Sequence, residues 1–390
     1  MTLSKVRADS GLIGIARDLA PTIRKYADEA ESGRKLPQPL VDAFIDARFF
    51  QMSVPHEFGG DELDYIESMR VMEELAVADG SAAWNVMIGS GNGRTAAALR
   101  NETAREVFGD PRVVCAAALP IGGEGLKTEG GYILTGRWPY CSGCQQSSWF
   151  MPGFLVKDGG HARRAADGRV ETLVGVLPRT DWTIDENWNT AGMRGTGSHD
   201  IVISGAFVPE ARTYSLVSAV RMDTPLYRMA PFSTLGPGVA AVCLGIARHA
   251  IDVFAGLAQT KRNSVNNTLM RESAVAQVRI SEAEAALQSG RAFFYGACET
   301  IWEAAQEGLP ATLRERALLR MACVNAAEAS VKAVDLVFGG AGSQAAQASF
   351  PIERCWRDVH TAATHVTVNT ANYESTGRVL FGMEPGIALI

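Results

Sequence analysis

From Leu12 to about Phe108 the apolar residues recur three and four positions apart. Leu40, Phe44 and Ala47 share one helical face, as do Met69, Met72, Leu75 and Ala76, and only the Pro- and Gly-bearing stretch VPHEFGGDELD (54–64) interrupts the pattern. This predicts an N-terminal helical domain over residues 1–110. From Pro111 to about Ser218 the texture changes to short β-rich runs, VVCAAAL, YILTGRWPY, SSWFMPGFLV, ETLVGVL and DIVISGAFV, divided by Gly, Asp and Asn. A central β-domain, barrel or sandwich, is expected over 111–220. Helical spacing then returns over Gly238–Lys261, Met270–Gln306, Leu313–Val337 and Phe350–Phe381, which predicts a C-terminal bundle of four long helices over 221–390. The class is α+β, with a sheet domain inserted between two helical ones.

The most apolar stretch, Leu235 to Ala247, is followed at once by Arg248 and His249. It is too short to cross about 30 Å of hydrocarbon and reads as a core helix, so no membrane partner is expected. Hydrophobic residues make up 47% of the 390 and charged residues 21%, ordinary values for a globular chain, which excludes disorder as a description of the whole. Lys plus Arg number 37 against 43 Asp plus Glu, a net charge of -6, which argues against a nucleic-acid surface. The N-terminal MTLSKVRADSG lacks the apolar core of a secretory signal, and the seven cysteines have no framework spacing. Both features suit a cytoplasmic protein with reduced thiols.

Several chemistries lack support. No G-x-G-x-x-G opens a helix after a strand, and neither a P-loop nor H-E-x-x-H occurs. His360 and His365 lie five apart, about 140° around a helix, so they do not share a metal, and no metal site is expected. Cys141 and Cys144 form C-x-x-C, but in a β-rich region, where packing explains them better than redox work.

Four segments carry more: DGSAAWNVMIGSGNG (79–93), GRWPYCSGCQQSSWF (136–150), NWNTAGMRGTGSHDIVISGAFVP (187–209) and VFGGAGSQAAQASFPIERCWRDVHTAATHV (337–366). Together they resemble the acyl-CoA dehydrogenase superfamily over nearly the whole chain. The most specific element is FGGAG followed by P-I-x-R-x-x-R-D, here Pro351, Ile352, Arg354, Arg357 and Asp358. The resemblance also places Gly136, Tyr140, Ser142 and Gly143 against a flavin ring. Many dehydrogenases of the family carry a catalytic carboxylate about eight residues beyond the Arg-Asp pair. Here that count reaches Val366, with His365 beside it, while the Glu374 of NYEST arrives eight residues late, about 12 Å along a helix. The histidine, with Trp138, Ser142 and Gly143, resembles the flavin-dependent monooxygenase branch, the oxygenase components of two-component hydroxylases. The resemblance implies a homo-oligomer, a tetramer or else a dimer. It also implies reduced FAD rather than FMN, supplied by a separate reductase and reacting with oxygen as a flavin C4a-hydroperoxide, and a phenol- or indole-type substrate.

Residue chemistry agrees with these assignments. Ser142 can hold the proton of flavin N5, because a hydroxyl accepts one hydrogen bond while donating another, although a strand-end turn serine would look the same. His365 titrates near neutrality and could hydrogen-bond an oxygen species or deprotonate a bound phenol or indole, although a satisfied core histidine on a helix would look the same. The resemblance assigns Trp138, Tyr140, Gly143, Thr196 and Ser198 to the flavin, Arg262, Gly339, Gly340 and Gly342 to its phosphates, and Trp84, Asn85, Met87, Met193 and Arg194 to the substrate. Three alternatives remain open at this point: an acyl-CoA dehydrogenase or oxidase with a relocated base, an amine N-oxygenase, and a non-catalytic flavin-binding protein.

Overall fold

The computed structural model describes residues 11–164, 168–216, 221–230, 232–263 and 266–387. The first ten residues, and residues 217–220 where the sheet is expected to give way to the bundle, lie outside it. Five N-terminal helices come first: α1 (Gly11–Gly33), α2 (Gln38–Asp46), α3 (Tyr65–Ala78), α4 (Gly80–Asn92) and α5 (Asn101–Phe108). Asp64 begins α3 by accepting the amides of Ile66 and Glu67, and Asp79 both ends α3 and caps α4 by accepting the Ala82 amide at 2.8 Å. This double use of Asp79 fixes the angle at which α4, the carrier of Trp84 and Asn85, leaves α3.

Among the described residues nine strands follow: β1 (Cys115–Thr128), β2 (Gly131–Cys141), β3 (Trp149–Asp158), β4 (His161–Ala162), β5 (Thr172–Gly175), β6 (Leu177–Pro178), β7 (Thr183–Asp185), β8 (His199–Pro209) and β9 (Thr213–Tyr214). They form one mixed sheet in the order β7-β8-β2-β1-β3-β5-β9, with β4 and β6 also on β3, and β1–β3 is its parallel pair. Within it β2 pairs antiparallel with β8 in a register that sets Cys141 opposite His199. Continuing that register past the strand ends brings Ser142 opposite Ser198.

The chain ends with α6 (Pro225–Arg228), α7 (Phe232–Thr260), α8 (Ala274–Gln306), α9 (Leu313–Ala341), α10 (Pro351–Ala362) and α11 (Asn372–Leu380). One continuous core joins α1–α4 to α7–α10, so the two helical regions expected as separate domains share a single interior, while the sheet has one core of its own and shares a smaller one with α5. Helix α7 outruns its apolar stretch. Its residues Ser233–Thr260 are long and apolar enough to cross a membrane, yet 72% of the most apolar window is buried in the protein.

Two expectations about the last third need correction. Residues 350–381 are two helices, because α10 stops at Ala362 and residues 363–371 form turns. This segment, ATHVTVNTA, is dense in β-branched and short polar residues that give the backbone other partners. Thr364 Oγ1 donates to the Thr361 carbonyl at 2.7 Å, and Asn372 Nδ2 to the Val366 carbonyl at 2.8 Å. His365 is therefore held in a turn and not on a helix. Likewise Gly339 and Gly340 are the last turn of α9, and only Gly342, with φ of +65°, lies beyond it.

The arginines of the P-I-x-R-x-x-R-D motif tie α10 to α1. Arg354 pairs with Asp28 and, at 2.7 Å, with Glu31, and Arg357 reaches Glu31 at 2.6 Å and Glu353 at 2.6 Å. Burial raises the Glu31 pKa, but the two guanidiniums outweigh it and hold the carboxyl below its ordinary range. The next residue, Asp358, is buried and accepts the Met193 amide at 2.5 Å, clamping the turn that precedes β8 onto the helical core. Gly192 makes the approach possible, since a Cβ there would sit 2.1 Å from the Arg357 carbonyl oxygen.

Burial, reinforced by the charge of Asp79, pushes the Asp358 pKa up to about 7. A carboxyl raised in the folded state costs stability as pH climbs from its unfolded value near 4 to its folded value. Asp358→Asn, which can still accept the Met193 amide, should therefore gain on the parent between pH 4 and 7 and hold a constant advantage above. Asp358→Ala should lose about 1–3 kcal/mol by leaving the amide unpaired. Urea unfolding across that pH range measures both, and an Asn variant that loses ground as pH rises would contradict the buried-charge account.

Candidate active site

The strand end 141–143, the turn 193–198 and helix α4 converge on a chain of hydroxyls. The Trp84 indole N–H donates to Ser142 Oγ at 3.0 Å, Ser142 Oγ lies 2.7 Å from Ser198 Oγ, and Ser198 Oγ lies 2.7 Å from Thr196 Oγ1. Thr196 Oγ1 then donates to the Met193 carbonyl at 2.8 Å. All five residues are buried. The β2–β8 register delivers the two serines, the Asp358 clamp delivers Met193, and the Asp79 cap aims Trp84. Gly143 turns the chain away at φ of +72°, where a side chain would be strained and its Cβ would come within 2.9 Å of Asn85 Oδ1 and Gln146 Nε2.

Asn85 ties the pieces together. Its Nδ2 donates to the Ser81 and Gly195 carbonyls at 2.9 and 3.2 Å, and its Oδ1 accepts from Gln146 Nε2 at 2.7 Å. On the other side of Trp84 stands His365, ring centroids 5.5 Å apart and edge to face. His365 Nδ1 is 2.9 Å from Thr367 Oγ1 and 3.4 Å from the Thr367 amide, an N–H that can only donate, so the ring proton belongs on Nε2. Burial pushes the His365 pKa down to about 4, which keeps the ring neutral at physiological pH.

Of the expected site residues, Trp84, Ser142, Gly143, Met193, Thr196, Ser198 and His365 come together here, with Asn85 bracing them. Tyr140 is 72% exposed at φ of +62°, its ring 6.2 Å from that of Trp188, so this edge of the site opens to solvent. Arg194 reaches the Thr190 carbonyl at 3.1 Å and takes no part in the hydroxyl chain. Trp138 belongs elsewhere. It is fully buried in the sheet core against Phe150, with its N–H on the Gly153 carbonyl at 2.7 Å, because side chains alternate along β2 and this one faces inward. Met87 packs against Gly238 inside the helical core. Cys141 and Cys144 are free and buried, and burial raises both pKa values, that of Cys144 to about 12, so neither supplies a thiolate.

Gly339, Gly340 and Gly342 lie in a second cluster at the opposite end of α7, where Lys261 and not the expected Arg262 reaches them. There Lys261 Nζ donates to the Ala341 carbonyl at 2.6 Å, and Arg262 donates to the Asn267 carbonyl. The helix separates this end from the Gly238 contact with Met87 by about 33 Å. Sequence reading missed Arg279, whose guanidinium lies 3.4 Å from where a Gly339 Cβ would stand, and Gln146. It also missed the clamp by Asp358, although a signal was there: Asp358 shares the apolar face of α10 with Cys355, Val359 and Ala362. Among the described residues no cluster of His, Cys, Asp and Glu could hold a metal. A groove of about 760 Å³ is lined by Arg279, Lys332, Asp335, Thr364 and Asn369 and includes none of Trp84, Ser142 or His365.

Residues 15–104 match the acyl-CoA dehydrogenase N-terminal domain, and residues 237–370 match the acyl-CoA dehydrogenase C-terminal domain. The chain is 31% identical over 363 residues to the indole-3-acetate monooxygenase of Pseudomonas putida, covering 93% of this chain and 91% of that one. It is 30% identical over 380 residues to the flavin-dependent monooxygenase oxygenase subunit HsaA of Rhodococcus jostii (strain RHA1), covering 93% and 95%. Among solved structures, XiaF from Streptomyces sp., in complex with FADH2 and glycerol, superposes with a TM-score of 0.90 at 26% identity over 97% of both chains. The chain belongs to the acyl-CoA dehydrogenase superfamily, in its branch of flavin-dependent monooxygenase oxygenase components.

Proposed function

We propose that this protein hydroxylates a small aromatic or heteroaromatic molecule, of phenol or indole type, using molecular oxygen and reduced FAD delivered by diffusion from a separate reductase. The observation that carries the reading is the pairing of a buried hydroxyl chain with a neutral histidine, both in contact with Trp84. Glu374, the sequence's nearest match to a dehydrogenase base, is exposed on α11.

The residues present fit a flavin. Ser142 keeps a hydroxyl beside the site, and Tyr140 and Trp188 offer aromatic surface at the open edge. Bound reduced flavin would supply the two electrons that reduce the second oxygen atom to water while the first enters the ring. Ser142 would accept the proton-bearing N5 of the flavin. His365, with Nδ1 turned to Thr367 and its pKa near 4, is a poor base, and it would instead donate from Nε2 to an oxygen atom beside the substrate. Buried Trp84 and Met193 would keep water from that oxygen.

FAD suits the second cluster better than FMN, because Lys261 and Arg279 gather cationic charge beside Gly339–Gly342, with Arg262 next along the chain. The separation of about 33 Å along α7 supports a homo-oligomer, a tetramer by resemblance, in which this cluster serves the flavin of a neighbouring copy.

His365→Ala should lower product formed per reduced flavin consumed at least tenfold while reduced-flavin binding stays within a few-fold. Unchanged coupling in a folded variant would sink the role. Since the neutral form is the working one, wild-type coupling should stay level from pH 8 down to about 5.5 and fall only as pH drops toward 4. An inflection near 6.5 that vanishes in His365→Ala would show that His365 is not held neutral. Glu374→Gln should leave turnover within a few-fold, and loss of all activity there would revive the dehydrogenase reading.

A further inference from the structure

The hydroxyl chain has a direction, fixed by what each end can do. An indole N–H only donates and a peptide carbonyl only accepts. The 2.8 Å contact between Thr196 Oγ1 and the Met193 carbonyl therefore takes the Thr196 proton. With that proton committed, the 2.7 Å contact to Ser198 must be filled by the Ser198 proton, and the 2.7 Å contact between the serines by that of Ser142. At the other end the Trp84 N–H occupies one lone pair of Ser142 Oγ. Ser142 is left with a single unused lone pair and no proton to give. Reversal would turn two bare oxygens toward each other, Thr196 Oγ1 and the Met193 carbonyl, at 2.8 Å. That carbonyl is held in place by two further donors, the Thr196 amide at 3.2 Å and Trp188 Nε1 at 3.0 Å.

We propose that Thr196 and Ser198 are specificity-determining residues that act through Ser142, making it an obligate hydrogen-bond acceptor so that the site takes reduced flavin and rejects oxidised flavin. The proposal rests on the reading of Ser142 as the partner of flavin N5. Reduced flavin carries a hydrogen on N5 and meets the free lone pair. Oxidised flavin presents a bare nitrogen there and meets a second acceptor. Selection of this kind keeps the spent or unreduced cofactor from occupying the site while a reductase works elsewhere. It also separates roles that the sequence suggests are shared, since Thr196 and Ser198 would set the proton of Ser142 without touching the flavin themselves.

The test is a pair of titrations, oxidised FAD in air and reduced FAD under anaerobic conditions, each followed by flavin absorbance or fluorescence. Ser198→Ala removes the acceptor of the Ser142 proton, and Thr196→Val removes the group that fixes its direction. Either should free Ser142 to donate to N5 and tighten oxidised FAD about 2- to 13-fold, the range of one net hydrogen bond, with little change for reduced FAD. Ser198→Thr keeps the hydroxyl and should behave as the parent. A gain in affinity cannot come from a damaged fold, so misfolding does not imitate the expected result. Ser142→Ala separates the two layers of the argument. If it leaves reduced-FAD affinity unchanged, the N5 reading of Ser142 fails. If it weakens reduced FAD while Ser198→Ala and Thr196→Val leave oxidised FAD no tighter, the reading of Ser142 stands and the directional chain is overturned.

Discussion

The bond from the Met193 amide to Asp358 is the contact on which the site depends, because it joins the sheet to the helical core where the chemistry is assembled. Met193 contributes its carbonyl to the end of the hydroxyl chain and to Trp188, so a shift of this one residue would move the acceptor that orders three hydroxyl protons. The helical side of the joint is stiffened separately. Arg354 and Arg357 bind α10 to α1 through Asp28 and Glu31, and Asp79 caps the helix that carries Trp84. Burying Asp358 beside Asp79 is electrostatically unfavourable, and the raised pKa of Asp358 records it. That this carboxyl stays at the junction is understandable if the amide it holds matters more than the stability it gives up.

Much of the architecture was legible in the chain. Helical spacing and short β-rich runs located the α, β and α regions, and the N-terminal interruption at 54–64 is indeed non-helical apart from a 3₁₀ turn at His56–Phe58. The bundle was less legible where composition and packing disagree. Helical spacing alone carried the prediction through 363–371, but the β-branched residues and the threonine and asparagine side chains there find backbone partners that a helix would deny them. Conversely, two glycines suggested a turn at 339–340, yet tertiary packing keeps them helical, with Phe254 and Arg279 close against them. Propensity is a weak prior against a packed neighbour.

The site was legible in its residue types more than in its geometry. Ser142 and His365 could be named from the chain, but their meeting across Trp84 depends on three bodies closing together, which no local pattern encodes. Trp138 shows the opposite failure. It sits among flavin-facing residues in sequence, yet the strand's alternation sends its ring into the sheet core, whereas Tyr140 leaves the strand with a left-handed backbone and turns outward. The directed hydroxyl chain was invisible from sequence because it needs the 2.7 and 2.8 Å separations, and the donor and acceptor limits of its two ends, all at once.

The same burial has opposite consequences for the two kinds of side chain that could occupy the position of His365. A carboxyl moved there would be driven toward its neutral, protonated form and, where it did ionise, would be a stronger base, which is what proton abstraction beside a carbonyl demands. An imidazole is also driven toward neutrality, but it becomes a weaker base and keeps one N–H as a donor. The Thr367 amide facing Nδ1 leaves that donor on Nε2. One position in one fold can thus pull a proton from a substrate or hand a hydrogen bond to oxygen, according to which residue stands there. In this chain the neighbours of the histidine reinforce the second outcome: the tautomer is set from one side by Thr367, and the ring is held from the other by the edge of Trp84. Since Trp84 also donates to Ser142, the group that would hold the flavin and the group that would meet the oxygen are positioned by one indole, and neither can be displaced without disturbing the other.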